Sequence, residues 1–555
     1  MQKLKNSYFT GEGNGQLLYE TIGRCFERVA KANPEGMAVI VKHQSIRWSY
    51  RQLYKQVDRL SLGLLALGVQ PGDRVGIWGP NSIEWVMSQL ATARIGAIMV
   101  CINPAYRLYE LEYALNRSSC KVIISAEKFK NSNYLTMLEE LAPELKYSQA
   151  GTLKSAKLPH LELVIRMGTQ VSAGMLNFDD VCGLGSKNER QRLEALQLEL
   201  NPDDAINIQF TSGTTGQPKG ATLSHCNILN NGWNSAQGMQ LTERDKLCIP
   251  VPLYHCFGMV LGVLACLTSG ATMVFPCQEF DAEITLATVE EEKCTGLHGV
   301  PTMFVALLNL SRFNNYNIST LRTGIVAGAP CAEALMKRVI GDLNMSSVLI
   351  GYGQTEVSPI NLMTLPDDTL ENRTQTVGRA IPHVEVKIVD EHNRVLSIGE
   401  QGEVCTRGYS VMKGYWDDEQ RTNEAIIDGW LHSGDLATMD QFGYVKITGR
   451  IKDMLIRGGE NIYPREIEDF LYTHPKIREA QVFGVPDEKM GEEVCVWIQL
   501  KDGQSATDQE IRNYCEGQIT HFKIPRYIRF VKEFPMTVTG KIRKIEMRAT
   551  MSAEV

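Results

Sequence analysis

The chain has 555 residues, more than one ordinary hydrophobic core holds, so its length predicts roughly two to four domains. Its 43% hydrophobic and 22% charged content is that of a globular enzyme and excludes a disordered or fibrous chain. A net charge of −7 excludes a nucleic-acid binder with a broad basic face, but not a local pocket for a small polyanion.

The first eight residues, Met1 to Tyr8, lack both the apolar centre of a secretory signal and the Arg-rich pattern of a transit peptide. The longest apolar run, Met259 to Thr268, is too short to span a membrane, and Gly262 interrupts it. No integral membrane association is expected. Fourteen cysteines occur without any CxxC pair, which argues against zinc or redox motifs. Most have apolar neighbours and read as small buried hydrophobes in a reducing compartment. The expected location is cytoplasmic, or the mitochondrial matrix if a transit peptide has been removed.

The first 450 or so residues alternate β-rich runs with helical patterns. Arg74 to Trp78 reads as a buried strand. Ser82 caps a helix through about Ile95, and Ile98 to Ile102 is the next strand. That βαβ unit implies parallel pairing. Strands at Lys121 to Ser125 and Leu161 to Ile165 continue the theme. The polar stretch from Met167 to Leu200 reads as surface connection.

Next come Thr211-Ser212-Gly213-Thr214-Thr215-Gly216-Gln217-Pro218-Lys219-Gly220, between alternating runs that read as strands. Ten residues hold four hydroxyls, three glycines and a lysine. Glycines let the backbone approach a polyphosphate and turn N–H groups toward it. Hydroxyls and the ammonium supply further donors. The order differs from a P-loop, whose lysine opens a helix; here Pro218 precedes Lys219 and a strand follows.

Beyond Gly449-Arg450 the texture changes. Pro464 to Thr473 reads as a helix with proline in its first turn. Strands at Ala480 to Val485 and Val494 to Leu500, a helix near Asp508 to Gln518, and a strand near Tyr527 to Val531 complete a small α+β module. The expected division is 1–450 and 451–555, with a short junction at Arg450 to Lys452.

Five motifs in order carry a family resemblance: the loop 211–220, Tyr352-Gly353-Gln354-Thr355-Glu356, Trp430-Leu431-His432-Ser433-Gly434-Asp435, Gly449-Arg450-Ile451-Lys452-Asp453, and Pro535-Met536-Thr537-Val538-Thr539-Gly540-Lys541. Over nearly its whole length the chain resembles the adenylate-forming acyl-CoA synthetases. Arg457 to Pro464 and His521 to Pro525 look most like the fatty acyl-CoA synthetases of the medium-chain group. The resemblance implies an α/β fold: a large N-terminal domain of mixed and parallel sheets flanked by helices, plus a small mobile α+β C-terminal domain. It implies that a fatty acid reacts with ATP to give acyl-AMP and pyrophosphate, and that the CoA thiol then displaces AMP. Neither step needs an enzyme nucleophile; positioning and electrostatics suffice.

By resemblance, Thr211, Ser212, Gly213, Thr214, Thr215, Gly216 and Lys219 hold the β- and γ-phosphates. Thr355 donates to the α-phosphate, and Glu356 binds Mg²⁺. Tyr352 stacks on adenine, with Gly328, Ala329, Pro330, Gly351, Gly353 and Gln354 around the nucleotide. Asp435 takes the ribose hydroxyls, and Arg450 the ribose or phosphate edge. Lys541 bridges the carboxylate and the α-phosphate. Lys452 is the hinge about which the C-terminal domain rotates, bringing Gly458 and Gly459 to the pantetheine arm of CoA. Tyr254, His255 as a gate, Phe257, His298, Gly299, Val300 and Met303 line the acyl pocket. Peptide-synthetase adenylation domains place an aspartate in this region; Pro252 to Gly258 has none. The alternatives are an aryl- or branched-acid ligase, an acyl-AMP ligase feeding a carrier protein, and a non-catalytic sensor. A homodimer is expected from the family.

Overall fold

The computed structural model describes residues 3–13, 16–211, 218–329, 331–458, 460–537 and 541–554. The chain packs as two compact units. The larger comprises Thr10–Glu385 and Thr406–Leu431; the smaller comprises Met1–Phe9, Val386–Cys405 and His432–Val555.

Two sheets organise the larger unit. Among the described residues, one has eight strands in the order Leu176–Asn177, Leu163–Arg166, Val122–Ser125, Arg74–Trp78, Ile98–Cys101, Ala205–Thr211, Lys219–Ser224 and Gly414–Tyr415. The expected βαβ unit is present. Arg74–Trp78 and Ile98–Cys101 pair in parallel, and the helix Ile83–Ile95 between them is capped by the Ser82 hydroxyl. These strands are buried on both faces, which explains their unbroken apolar runs.

The second sheet has nine described strands, with Ser347–Tyr352, Thr323–Val326, Gly296–Leu297, Lys246–Cys248, Thr272–Phe275 and Met37–Val41 running parallel as consecutive neighbours. Its core includes Cys248, Val274, Leu297, Phe304, Val326 and Val348, all at most 1% exposed.

The stretch Met167 to Leu200 is more structured than its polarity predicts. Leu176–Asn177 extends the eight-stranded sheet, and the helices Phe178–Val181 and Lys187–Glu199 follow. The longer helix buries only Leu193, Leu196 and Gln197, a stripe too narrow to give a strong periodic signal. The apolar run that begins at Met259 is helical. It lies in a π-helix, Phe257–Leu264, which leads into the α-helix Ala265–Ser269.

In the smaller unit, residues Asp435 to Met439 pair antiparallel with Val445–Arg450. The module that follows is a five-stranded sheet of described strands, with Ile477–Asp487 and Gly491–Leu500 forming a long hairpin. The helices Pro464–Leu471 and Asp508–Cys515 bury Ile467, Leu471, Ile511 and Cys515 against it. The elements expected here are all present, the two strands longer than predicted.

All fourteen cysteines are free thiols, and all but Cys331 are buried. No described helix is long and apolar enough to cross a membrane.

Candidate functional site

Parallel strands place their carboxyl ends along one edge of a sheet, where open α/β folds bind ligands. Four neighbouring strands of the nine-stranded sheet bring expected residues there. Ser347–Tyr352 runs into Gly353 to Glu356, and Thr323–Val326 into Ala327 to Ala329. Gly296–Leu297 runs into His298 to Val300, and Lys246–Cys248 leads toward Tyr254 to Phe257. Two of these turns require glycine. Gly328 has φ +87°, and a Cβ on Gly353 would lie 2.1 Å from the Pro359 carbonyl oxygen. Thr355–Val357 forms a single 3₁₀ turn after Gln354.

The described parts of the glycine-rich segment come from the other sheet of this unit. Thr211 and Lys219 are the last facing pair of a hairpin, and the Thr211 hydroxyl donates to the Lys219 carbonyl at 3.4 Å. The Lys219 ammonium lies 4.7 Å from the centre of the Tyr415 ring. The Tyr415 hydroxyl in turn donates to Oε1 of Glu356 at 2.8 Å. Burial first, and the Glu356 carboxylate second, push the Tyr415 phenol well above its ordinary range, so it stays a donor. One aromatic residue thus joins the lysine to the carboxylate.

A buried helix, His225–Gly238, holds the loops around them. The Asn231 amide donates to the Ile360 carbonyl at 2.7 Å and accepts from the Ile360 N–H. Asn227 donates to the carbonyls of Tyr409 and Val411, and Asn234 to the Tyr409 hydroxyl. The Met412 N–H closes the arrangement on the Glu356 carbonyl at 2.9 Å.

The expected acyl-pocket residues Tyr254, Phe257, Val300 and Met303 are 5–8% exposed. His255 is half-buried at the start of the π-helix, where its Nδ1 accepts from the Phe257 N–H at 3.2 Å. His298 is fully buried. Its Nδ1 accepts from the Ile325 N–H at 3.1 Å, so its proton lies on Nε2, which donates to the Leu261 carbonyl at 2.9 Å. Burial lowers its pKa to about 4. His298 therefore stands as a neutral prop between the strand Thr323–Val326 and the π-helix, with its ring 5.1 Å from that of Phe257.

In the smaller unit, Asp435 and Arg450 face each other across adjacent strands, and Arg450 Nε lies 2.7 Å from Asp435 Oδ1. Asp435 is buried, whereas the Arg450 side chain is 61% exposed. The turn before Asp435 is tied down by Glu403, which accepts from the Gly434 N–H and pairs with His432 Nδ1, both at 2.8 Å. Cys405 Sγ lies 3.4 Å from the same nitrogen, so these three side chains could ligate a cation. The two contacts to Glu403 already account for its carboxylate as a support for the turn. Lys452 is exposed in a 3₁₀ turn, Ile451–Asp453. The Gly458 N–H donates to the Met490 carbonyl. Lys541 is exposed; its N–H donates to the Thr537 hydroxyl, and its carbonyl accepts from the Thr537 N–H. Ser212, Gly213, Thr214, Thr215, Gly216, Pro330 and Gly459 lie outside the described residues.

The sequence matches the AMP-binding enzyme family over residues 26–416 and the AMP-binding enzyme C-terminal domain over residues 466–541. The chain belongs to the AMP-binding enzyme family. It is 49% identical over 535 residues to YngI of Bacillus subtilis (strain 168), a provisionally assigned acyl-CoA synthetase, covering 96% of this chain and 97% of the relative. It is 45% identical over 554 residues to the mitochondrial medium-chain acyl-CoA ligase ACSF2 of Homo sapiens, covering 98% of this chain and 90% of the relative. Among solved structures it resembles the anthranilate CoA ligase AuaEII in complex with anthranoyl-AMP, with a TM-score of 0.84 and 26% identity over 97% of this chain and 99% of that one.

Within this AMP-binding enzyme, sequence reasoning overlooked Tyr415, the asparagines of His225–Gly238, and the Glu403–His432 support. The last had a signal: His432 stands inside the Trp430 to Asp435 motif. Tyr415 had only an aromatic pair, Tyr415-Trp416, after a glycine.

Proposed function

We propose that this AMP-binding enzyme is a medium-chain fatty acid–CoA ligase that uses ATP and Mg²⁺. The carboxylate attacks the α-phosphorus of ATP, the bond to the β-phosphate breaks, and pyrophosphate leaves. The CoA thiol then attacks the acyl carbon of acyl-AMP, AMP departs, and the thiol proton passes to solvent. The observation that carries this reading is the convergence of Lys219 and Glu356 on Tyr415. A fixed cation and a carboxylate on the two sides of one residue suit a metal-bound triphosphate. The full-length similarity to ligases named for medium-chain acids supports the substrate class.

In this reading Thr211 and Lys219 hold phosphate oxygens, and Thr355 donates to the α-phosphate. Glu356 holds Mg²⁺, which when bound neutralises charge on the phosphates. Tyr352, Gly328 and Ala329 receive the adenine, and Asp435 and Arg450 the ribose edge. Lys541 relieves repulsion between two anions as they meet. Residues 451–555 form the mobile part, with Lys452 as hinge and Gly458 beside pantetheine. Tyr254, His255, Phe257, Val300 and Met303 bound the alkyl chain, each buried methylene contributing about 0.8 kcal/mol. The enzyme acts as a homodimer, in the cytoplasm or the mitochondrial matrix.

The test is carboxylate-dependent ATP–pyrophosphate exchange over straight acids from acetate to palmitate, plus benzoate, with and without CoA. A maximum at intermediate chain lengths, with acyl-CoA formed on adding CoA, is the expected result. A benzoate maximum would move the assignment to aryl ligases. Exchange without thioester would point to a carrier protein, and no exchange with any acid would overturn the ligase reading.

A further inference from the structure

Tyr415 is the residue in the larger unit that touches both charged groups assigned to the nucleotide, and its placement follows from strand register. Gly414–Tyr415 pairs antiparallel with Lys219–Ser224, and Tyr415 stands opposite Ala221. Residues two apart on a strand share a face, so Lys219 is the diagonal neighbour of Tyr415 on that face. The small Ala221 side chain leaves the ring room to lie beneath the ammonium. Ladder bonds on either side fix this register: the Trp416 N–H to the Gly220 carbonyl at 2.7 Å, and the Lys413 N–H to the Thr222 carbonyl at 2.9 Å.

Tyr415 is 9% exposed, and its hydroxyl is spent on Glu356. Glu356 is itself anchored through its carbonyl by Met412, three residues before Tyr415. A single short segment therefore orients the Glu356 main chain, its carboxylate and the Lys219 head group. A carboxylate that is to bind a cation gains by being fixed beforehand, since its rotamer entropy is already spent.

We infer that Tyr415 is a positioning residue: its hydroxyl orients the Glu356 carboxylate for the divalent cation, and its ring holds the Lys219 ammonium for the phosphates. This rests on the roles proposed above for Glu356 and Lys219. The two actions are separable. Tyr415→Phe keeps the ring under Lys219 and removes the hydrogen bond; Tyr415→Leu removes both.

The experiment measures binding rather than turnover. Mn²⁺ binding is followed by electron paramagnetic resonance with α,β-methylene-ATP, whose bridging carbon prevents cleavage at the α-phosphate. Nucleotide binding without metal is measured by calorimetry, and thermal melting shows that each variant is folded. Tyr415→Phe is expected to weaken Mn²⁺ binding about tenfold, the effect of losing a hydrogen bond to a charged group. Metal-free nucleotide binding should change less than about threefold in that variant and more in Tyr415→Leu, which also loses the cation–π contact. Adding Tyr415→Phe to Glu356→Gln should cost nothing further, because the phenol acts through that carboxylate. Unchanged Mn²⁺ affinity in Tyr415→Phe, an additional loss in the double variant, or no Mn²⁺–nucleotide binding by the wild type would each overturn the inference. Mn²⁺–nucleotide binding that behaves as expected in an enzyme that exchanges pyrophosphate with no acid would sink the ligase reading and leave this one standing.

Discussion

The two lysines proposed to serve the reaction sit in differently built surroundings. Lys219 opens a strand, its ammonium above the Tyr415 ring and its neighbours locked in a two-sided ladder. Lys541 is exposed, and its main chain makes reciprocal hydrogen bonds with Thr537. The module carrying it is nevertheless firmly made. Lys544 Nζ pairs with the buried Glu468 at 2.6 Å, fixing the helix Lys544–Glu554 to the sheet beside Val482. Arg457 grips the buried Glu493 through two nitrogens. In the proposed mechanism Lys219 serves both half-reactions and Lys541 only the first.

The largest effect should come from breaking this contrast at its exposed end. Lys541→Ala is expected to lower acyl-AMP formation by about 10² to 10³, the cost of removing one preorganised charge at a transition state. Thioester formation from supplied acyl-AMP should stay within a few-fold of wild type. Rapid-quench assays of the two half-reactions make the comparison, and equal losses in both would remove the one-step role of Lys541.

The fixed end can be probed through its buried histidines. His298 and His225 belong to the larger unit, and burial lowers their pKa values to about 4 and about 3. In the unfolded chain each has its ordinary value near 6.5. Below pH 6.5 the unfolded state takes up protons that the folded state refuses, so their contribution is complete above that pH and is lost as pH falls toward 4. At pH 5 the loss is about 2 kcal/mol for each residue. Melting temperature should therefore fall between pH 7 and pH 5. In His298→Gln it should fall by less, from a lower start. Identical pH slopes would show that His298 is protonated, or the site opened, well before unfolding.

How far this was legible in the sequence depends on whether the deciding contact is local. The βαβ unit at Arg74 to Cys101 and the elements from Pro464 onward follow from periodicity and caps, which act over a few residues. Lys187–Glu199 also had a local sign, the reciprocal capping of Ser186 and Glu189, that outweighs its thin apolar stripe. The π-helix Phe257–Leu264 carries no such sign, because an apolar run is compatible with several helical hydrogen-bond spacings. The residues of the site were read from motif order. Their mutual support was not, since Tyr415 meets Lys219 only through a strand pairing that links distant parts of the chain. Asn227, Asn231 and Asn234 act at the same long range, their amides holding the loops at Ile360 and Tyr409.

The smallest expected effect concerns the junction itself and tests whether the contrast between the lysines is one of motion. Lys452 lies in the single 3₁₀ turn Ile451–Asp453, a conformation whose φ proline also adopts. Lys452→Pro holds φ at about −65° and so resists any rotation that moves φ away. Holding a residue in a disfavoured φ costs roughly 1–3 kcal/mol. If thioester formation needs such a rotation, its rate should fall about tenfold or more while acyl-AMP formation changes little. Lys452→Ala, which leaves φ unrestricted, should preserve both. Equal behaviour of the proline and alanine variants would remove Lys452 from the role of hinge proposed for it.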